Sequence, residues 1–458
     1  MYKKIISSAL ALSMLAGTAV FVPETGVSAQ ASFLAQTVSK ATSGKCGKNV
    51  SWSLDKNGTL TLSGSGKTYD CTYDDPSPFR CDGRIKKVIV KKGVTSIGDS
   101  LFDQCYSLES AELEEGVISI GENAFIFNIL KSISLPDSLE TIGSHAFERA
   151  QFTSIKLPKN LKSIGSGAFV WCDSIKSVEL PKGLKTLRSY TFAKCSSLES
   201  VTIPDSVTTI ESGAFEFCKF KTLTIPDSVT KIDMMAIVNC HELESIIIPP
   251  SVKTIGEDAV AASDKVVIIC APGSAAEKFA KGNSLKYKYS VAFAKASLSK
   301  SAYKYTGKKI TPAVTVKLSG KTLKKNKDYT LSFKNNKNCG KATVTVTGKG
   351  DYKGKLTKTF VIKPGKAKIS KLTSPKTKQL KVKIKKSQGG VTGYQIAYSS
   401  SKKFAASKTK TISVKTTGKT IKGLKKGKTC YVKVRAYKTV GGKKYYGAYS
   451  GVKKISVK

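Results

Sequence analysis

A period of 22 or 23 residues constrains this chain more than any other feature. Apolar positions recur at Val90, Leu113, Leu135, Leu157, Leu180, Ile203, Ile225 and Ile248. A second row runs Phe102, Phe125, Phe147, Phe169, Phe192 and Phe215, continued by Ile237 and Val260. Eight such units fill residues 85–270. The unit from Leu198 to Cys218 shows what one period dictates. Val201 and Ile203 flank polar Thr202, which predicts a short strand with one face inward. Pro204 has no N–H to donate and ends that strand, and Asp205 and Ser206 supply turn chemistry. Val207 and Ile210 point inward again, and Ser212 to Phe215 predict a short helical turn that carries the ring into the core. One unit cannot cover its own apolar face, so neighbours must stack into a solenoid.

Stacking sets equivalent residues about 4.8 Å apart on a parallel sheet, so outward rows can be read directly. One row is nearly all hydroxyl: Ser110, Ser132, Ser154, Ser177, Ser200, Thr222 and Ser245. Another mixes charges of both signs, from Glu109 and Lys131 to Lys221 and Glu244. Opposite charges there contribute only ~0.2–1 kcal/mol each and tune register. The middle row is Ile89, Glu112, Ser134, Lys156, Glu179, Thr202, Thr224 and Ile247. Its variety suits a recognition face, and its residues from Glu112 to Ile247 are the candidate ligand-binding set; a merely solvated sheet face is the alternative. Of eleven Cys, Cys105, Cys172, Cys195, Cys218 and Cys240 hold one fixed place in the unit, which reads as buried thiols packing as small hydrophobes. Cys71 and Cys81 flank a loop containing Pro76 and Pro78 and could pair. No CxxC pair or Cys/His cluster has zinc spacing.

These residues carry a resemblance. The pattern Val-x-Ile-Pro-x-x-Val-x-x-Ile-x-x-x-Ala-Phe-x-x-Cys resembles the BspA-type leucine-rich repeat of bacterial surface proteins. Around it, Trp52 to Gly64 reads as a capping hairpin about Asn57 and Gly58, and Cys270 to Ala280 as a closing helix. Departures are small: Asn128 and Ala150 stand for Cys, and Ile237 and Val260 for Phe. The resemblance implies cell-surface display and binding or adhesion, not a reaction.

Export is expected on independent grounds. Lys3 and Lys4 precede an apolar stretch from Ile5 to Val22, and Val27, Ser28 and Ala29 are small residues of a cleavage site. This is a signal peptide over 1–29, with no membrane span expected after its removal. An uncleaved anchor is the competing reading, since the run approaches spanning length.

The formal charge of +45 is concentrated at one end of the chain. Residues 290–458 hold 45 Lys and Arg against two acids, Asp328 and Asp351; the first 289 residues hold 32 basic and 30 acidic groups. Short alternating strands between turn signals from Tyr305 to Gly354 resemble a bacterial immunoglobulin-like module. The stretches about Tyr394 to Tyr398 and Leu424 to Ala436 are similar to later strands of a fibronectin type III domain, with Tyr431 a candidate tyrosine corner. Arg435 is the sole Arg of this half. Hydrated Lys point charges predict diffuse, salt-sensitive attraction to polyanions rather than specific reading of nucleic acid. The alternative is that Lys only solubilises the strands and blunts their edges.

The expected fold class is β-rich and multidomain: a leucine-rich-repeat solenoid with parallel sheet and short helical turns, followed by two β-sandwiches. Expected boundaries are a signal peptide over 1–29, an N-terminal β cap over 30–84, the solenoid with its C-terminal cap over 85–289, and sandwiches over 290–364 and 365–458. The expected role is that of a secreted or surface-associated binding protein. Its solenoid would engage a host or neighbouring-cell protein or glycan, and its Lys-rich sandwiches would serve as stalk and tether to envelope or matrix polyanions. A basic polyanion- or nucleic-acid-binding protein with a purely structural solenoid is the second reading. No cofactor or metal is expected. His145 and His241 occupy variable repeat positions, Lys349-Gly350-Asp351 reads as a turn, and no nucleophile–base pair suggests an enzyme.

Overall fold

The structure is a computed structural model that describes residues 41–263 and 265–458. The expected signal peptide over 1–29 and residues 30–40 of the expected N-terminal cap lie outside the described residues. The rest divides into two compact units. One comprises 41–220, 234–240 and 258–262; the other comprises 221–233, 241–257 and 263–458.

The first unit opens with an antiparallel hairpin, Val50–Leu54 against Thr59–Gly64. Asp55 Oδ1 shapes its turn by accepting the N–H groups of Asn57 and Thr59, both at 2.8 Å. These bonds hold the Asp55 carboxyl below the usual carboxylate range. The second hairpin strand then pairs in parallel with Lys87–Val90, which pairs with Ser110–Leu113 and on to Ser132–Ser134. The hairpin is therefore the first rung as well as the cap. A second row of short strands, Val94–Ile97, Ser119–Ile120, Thr141–Ile142 and Ser163–Ile164, forms another parallel ladder. Hydroxyls line this ladder as well: Ser96 Oγ lies 2.7 Å from Ser119 Oγ.

The third side of each rung is not helical. Two residues per rung, placed two before and two after the core Phe, take left-handed backbone: Asn123 and Phe127, His145 and Arg149, Gly167 and Trp171, Tyr190 and Lys194, Gly213 and Phe217. This alternation turns every second N–H toward the next rung. Phe125 donates to Ala146 O and Phe127 to Glu148 O, while Ile126 closes a turn on Asn123 O within its own rung. Backbone groups that a helix would satisfy internally instead join neighbours. Left-handed backbone costs a non-glycine residue roughly 1 kcal/mol or more, so these hydrogen bonds and the buried ring must outweigh that cost.

The Phe column is continuous, and it starts one rung earlier than the sequence row. Phe79 stacks on Phe102 at 5.5 Å between ring centres, and the series continues through Phe125, Phe147, Phe169, Phe192 and Phe215 at 4.9–6.0 Å. Trp52 closes the end, edge-on to Phe79 at 5.3 Å. The 22-residue units have one residue fewer before the strand, and in two of the three a Phe fills the place. Phe152 meets Phe147 edge-on at 5.7 Å, and Phe220 meets Phe215 at 5.5 Å. The first-row ladder lapses at Ser154 to Lys156, where two short units follow one another.

In the second unit, Thr222–Thr224, Ser245–Ile247, Val267–Cys270, Lys286–Ser290 and Tyr352–Lys353 form one five-stranded parallel sheet. Helix α1, Ala275–Gly282, begins at Ser274, whose Oγ accepts the Glu277 N–H. Two β-sandwiches complete the unit. The first faces Lys295–Leu298, Val314–Leu318 and Lys321–Thr322 against a four-stranded sheet built on Gly340–Gly348 and Lys355–Lys363. Ala271 shares a core with Val291, Val316, Tyr329 and Val346, so the expected boundary at 289/290 falls within continuous packing. The second sandwich faces Lys368–Thr373, Leu380–Lys385 and Gly418–Ile421 against a sheet centred on Gly393–Ser399 and Thr429–Val440. Leu380, Val382, Ile396, Val432 and Val434 are its interior.

Candidate functional site

Alternation along each first-row strand decides which side chains reach water. Ala111 and Leu113 are buried while Glu112 between them is exposed, and Val178 is buried beside exposed Glu179. Ile89, Glu112 and Ser134 are direct partners across adjacent rungs, as are Glu179 and Thr202. Thr224 and Ile247 are partners in the second unit, Thr224 exposed and Ile247 half-buried. Lys156 is exposed but outside any strand. Charges on this face pair across rungs, Lys87 with Glu112 at 3.4 Å and Lys131 with Glu109 at 3.3 Å.

The thiol column of the interior is a packing feature. Each column thiol donates to the carbonyl of the Phe one rung back: Cys105 to Phe79, Cys172 to Phe147, Cys195 to Phe169, Cys218 to Phe192 and Cys240 to Phe215, all at 3.1–3.2 Å. Asn128 does the same with its amide, Nδ2 to Phe102 O at 3.1 Å. Burial pushes the Cys195 and Cys240 thiols up to about 12 and the other three well above the ordinary value. A thiol held neutral is neither nucleophile nor metal ligand. Among the described residues no cluster of His, Cys, Asp and Glu could hold a metal ion. Cys71 and Cys81 are not joined: both are free thiols, and Cys81, held in left-handed backbone, points at Gln104 Oε1, 3.7 Å away. His145 pairs with Glu148 at 2.8 Å, and this carboxylate raises the imidazole pKa.

A second exposed surface lies on the turn side. Of the large apolar side chains most open to water, Trp171 (39%), Tyr190 (45%), Phe217 (39%), Met234 and Met235 all belong to it. The position two after the core Phe alternates ring and cation from rung to rung: Phe127, Arg149, Trp171, Lys194, Phe217. The Arg149 guanidinium lies 5.3 Å from the Phe127 ring centre and 5.4 Å from that of Trp171; Lys194 Nζ lies 4.3 Å from Trp171 and 6.0 Å from Phe217. Two before the core Phe, rings alternate with glycine. The His145 ring covers Gly167 and the Tyr190 ring covers Gly213, each where a Cβ would collide. The same 22–23-residue spacing carries this signal in the sequence, at turn positions rather than strand positions.

In the last sandwich, Lys368 stands opposite Lys385 and Lys371 opposite Lys383. No acid occurs after Asp351. Facing like charges oppose folding, so this sheet face is an electrostatic cost that a bound anion would relieve. Asp328 is engaged by the backbone, accepting the Lys324 N–H at 2.7 Å. On the other sheet, Lys433 sits 4.0 Å from the Phe404 ring centre and 4.6 Å from Tyr449, and Arg435 sits 3.8 Å from Tyr446. Tyr431 lies on the same strand positions as Lys433 and Arg435 and is no corner residue; the Tyr that meets backbone is Tyr394, whose hydroxyl accepts the Ser387 N–H at 2.7 Å.

Comparison with known proteins bears on the repeats. Residues 76–188 and 162–277 match the model of the BspA type leucine-rich repeat region, in six copies. Among solved structures the chain is similar to a leucine-rich repeat protein from Eubacterium ventriosum, at 23% identity and a TM-score of 0.40, covering 54% of this chain and 73% of that one. A leucine-rich repeat protein from Bacteroides ovatus aligns at 21% identity and 0.32, covering 54% and 90%, and one from T. pallidum at 22% and 0.30, covering 48% and 84%. No curated protein matches the sequence.

Proposed function

Because residues 76–277 form a BspA-type leucine-rich repeat region, we propose that this protein acts by binding, as an exported bacterial surface or adhesion protein without catalytic activity. The solenoid engages a protein or glycan ligand across the face bearing Glu112, Ser134, Lys156, Glu179, Thr202, Thr224 and Ile247. The sandwiches over 290–364 and 365–458 act as stalk and as electrostatic tether to envelope or matrix polyanions. One observation carries this reading. The interior repeats the same Phe and Cys from rung to rung, whereas the exposed middle row changes identity at almost every rung. Packing explains the constant columns and places no demand on the varied one. No helix among the described residues is long and apolar enough to cross a membrane.

The test is a pull-down with the full chain against host matrix proteins and bacterial wall fractions at two ionic strengths. A ligand held at both strengths and lost on Glu179→Arg with Thr202→Arg supports the sheet face. Capture that vanishes in high salt and ignores those substitutions transfers the function to the Lys-rich half, leaving the solenoid structural.

A further inference from the structure

The solenoid repeats every rung, but over the five rungs from Phe127 to Phe217 the turn side repeats every second rung, bounded by Gln104 before and Asn239 after. Phe127, Trp171 and Phe217 alternate with Arg149 and Lys194, and Tyr190 shares its rung with Lys194. Equivalent groups along this edge are therefore two rungs apart, about 9.6 Å. The cations are positioned before any ligand arrives, each held within 4.3–6.0 Å of two rings. That confinement removes rotamer freedom which binding would otherwise have to freeze. Arg149 has only a loose contact with protein carboxylate, Nε standing 3.9 Å from Glu148 Oε1. Exposed Tyr190 and Trp171 add apolar surface beside the cations.

We propose that this turn edge is a track for a linear acidic glycan carrying one carboxylate per disaccharide. Its carboxylates meet Arg149 and Lys194 two rungs apart, and its intervening sugar contacts Trp171 and Tyr190. A disaccharide is about as long as two rungs, so a polymer with that period stays in step with the edge. Densely charged polymers do not need this edge, because the Lys-rich sandwiches attract them without register. The track extends the binding reading to a second surface and does not depend on the sheet face.

Trp171 is its own reporter. The other tryptophan, Trp52, is 8% exposed and packed on Phe79, and residues 290–458 contain none. The full chain is titrated with a hyaluronan hexasaccharide in about 0.5 M salt, where diffuse attraction is screened. The expected result is a saturable change in indole emission, with affinity falling at least about tenfold in Arg149→Gln with Lys194→Gln. Trp171→Phe should lose the signal while calorimetry still detects the ligand. A neutral chitin hexasaccharide should compete poorly. Silence from Trp171, equal competition by the neutral sugar, or unchanged affinity in the double variant would each overturn the track. Sheet-face capture that survives Arg149→Gln with Lys194→Gln would show the binding reading standing without it.

Discussion

Cys195 shows why a residue type that usually suggests chemistry is here an element of packing. Its thiol donates to Phe169 O at 3.2 Å and stays protonated to about pH 12. An unfolded thiol ionises near 9, so between pH 9 and 12 the unfolded chain loses protons that the folded chain keeps. Stability should be intact below pH 9 and fall progressively to pH 12, read as a declining midpoint in denaturant melts. At pH 8 a thiol reagent should label exposed Cys81 in the native protein and reach the five column thiols only after unfolding. The Phe column tests packing at the same scale. Phe169 stacks between Phe147 at 5.5 Å and Phe192 at 5.3 Å, so Phe169→Ala should cost ~3–5 kcal/mol in equilibrium unfolding.

At the scale of strands, the sheet Lys368–Thr373, Leu380–Lys385 and Gly418–Ile421 separates stability from function. Its inward residues form the core, while Lys381, Lys383 and Lys385 project to solvent. Replacing all three by Gln should leave folding unchanged or slightly improved, because two facing Lys pairs lose a partner. Heparin binding by the full chain should weaken, and its log–log salt slope should flatten by about 2–3 if all three contact anions. An unchanged slope would remove this face from the tether. The turn segment teaches a different lesson about elements. Ser212 to Phe215 has helical spacing, yet Gly213 and Phe217 adopt left-handed backbone, and the Phe217 N–H finds Val238 O on the neighbouring rung as the Tyr190 N–H finds Ser212 O.

For the molecule as a whole, stability should add rung by rung. Deleting Cys172–Lys194, one full period, rejoins Trp171 to Cys195 and restores the column pattern; that variant should fold with a lower melting midpoint. Deleting 172–182 shifts every later column out of step and should give an aggregated or unfolded product by circular dichroism and size exclusion. At the other end, Lys286–Ser290 pairs with both Val267–Cys270 and Tyr352–Lys353. A fragment starting at 290 would lack that strand and the Ala271 packing, which is why the tether is tested in the full chain.

Rungs, Phe column and thiol column were legible in the sequence because a period of 22 or 23 can bury its apolar residues only against its own copies. The exposed identity of Glu112, Glu179 and Thr202 followed from strand alternation. Phe79 was missed because its unit departs from the motif, and the free state of Cys71 and Cys81 depended on where the chain aimed each sulfur. The turn edge needed the structure for a different reason: local propensity describes bonds a segment makes with itself, whereas Arg149, Trp171 and Lys194 are arranged by residues 22 and 23 positions away. Continuity of the sheet through Lys286–Ser290 was likewise decided by tertiary pairing, because strand partners are chosen across space and leave no mark at a composition boundary.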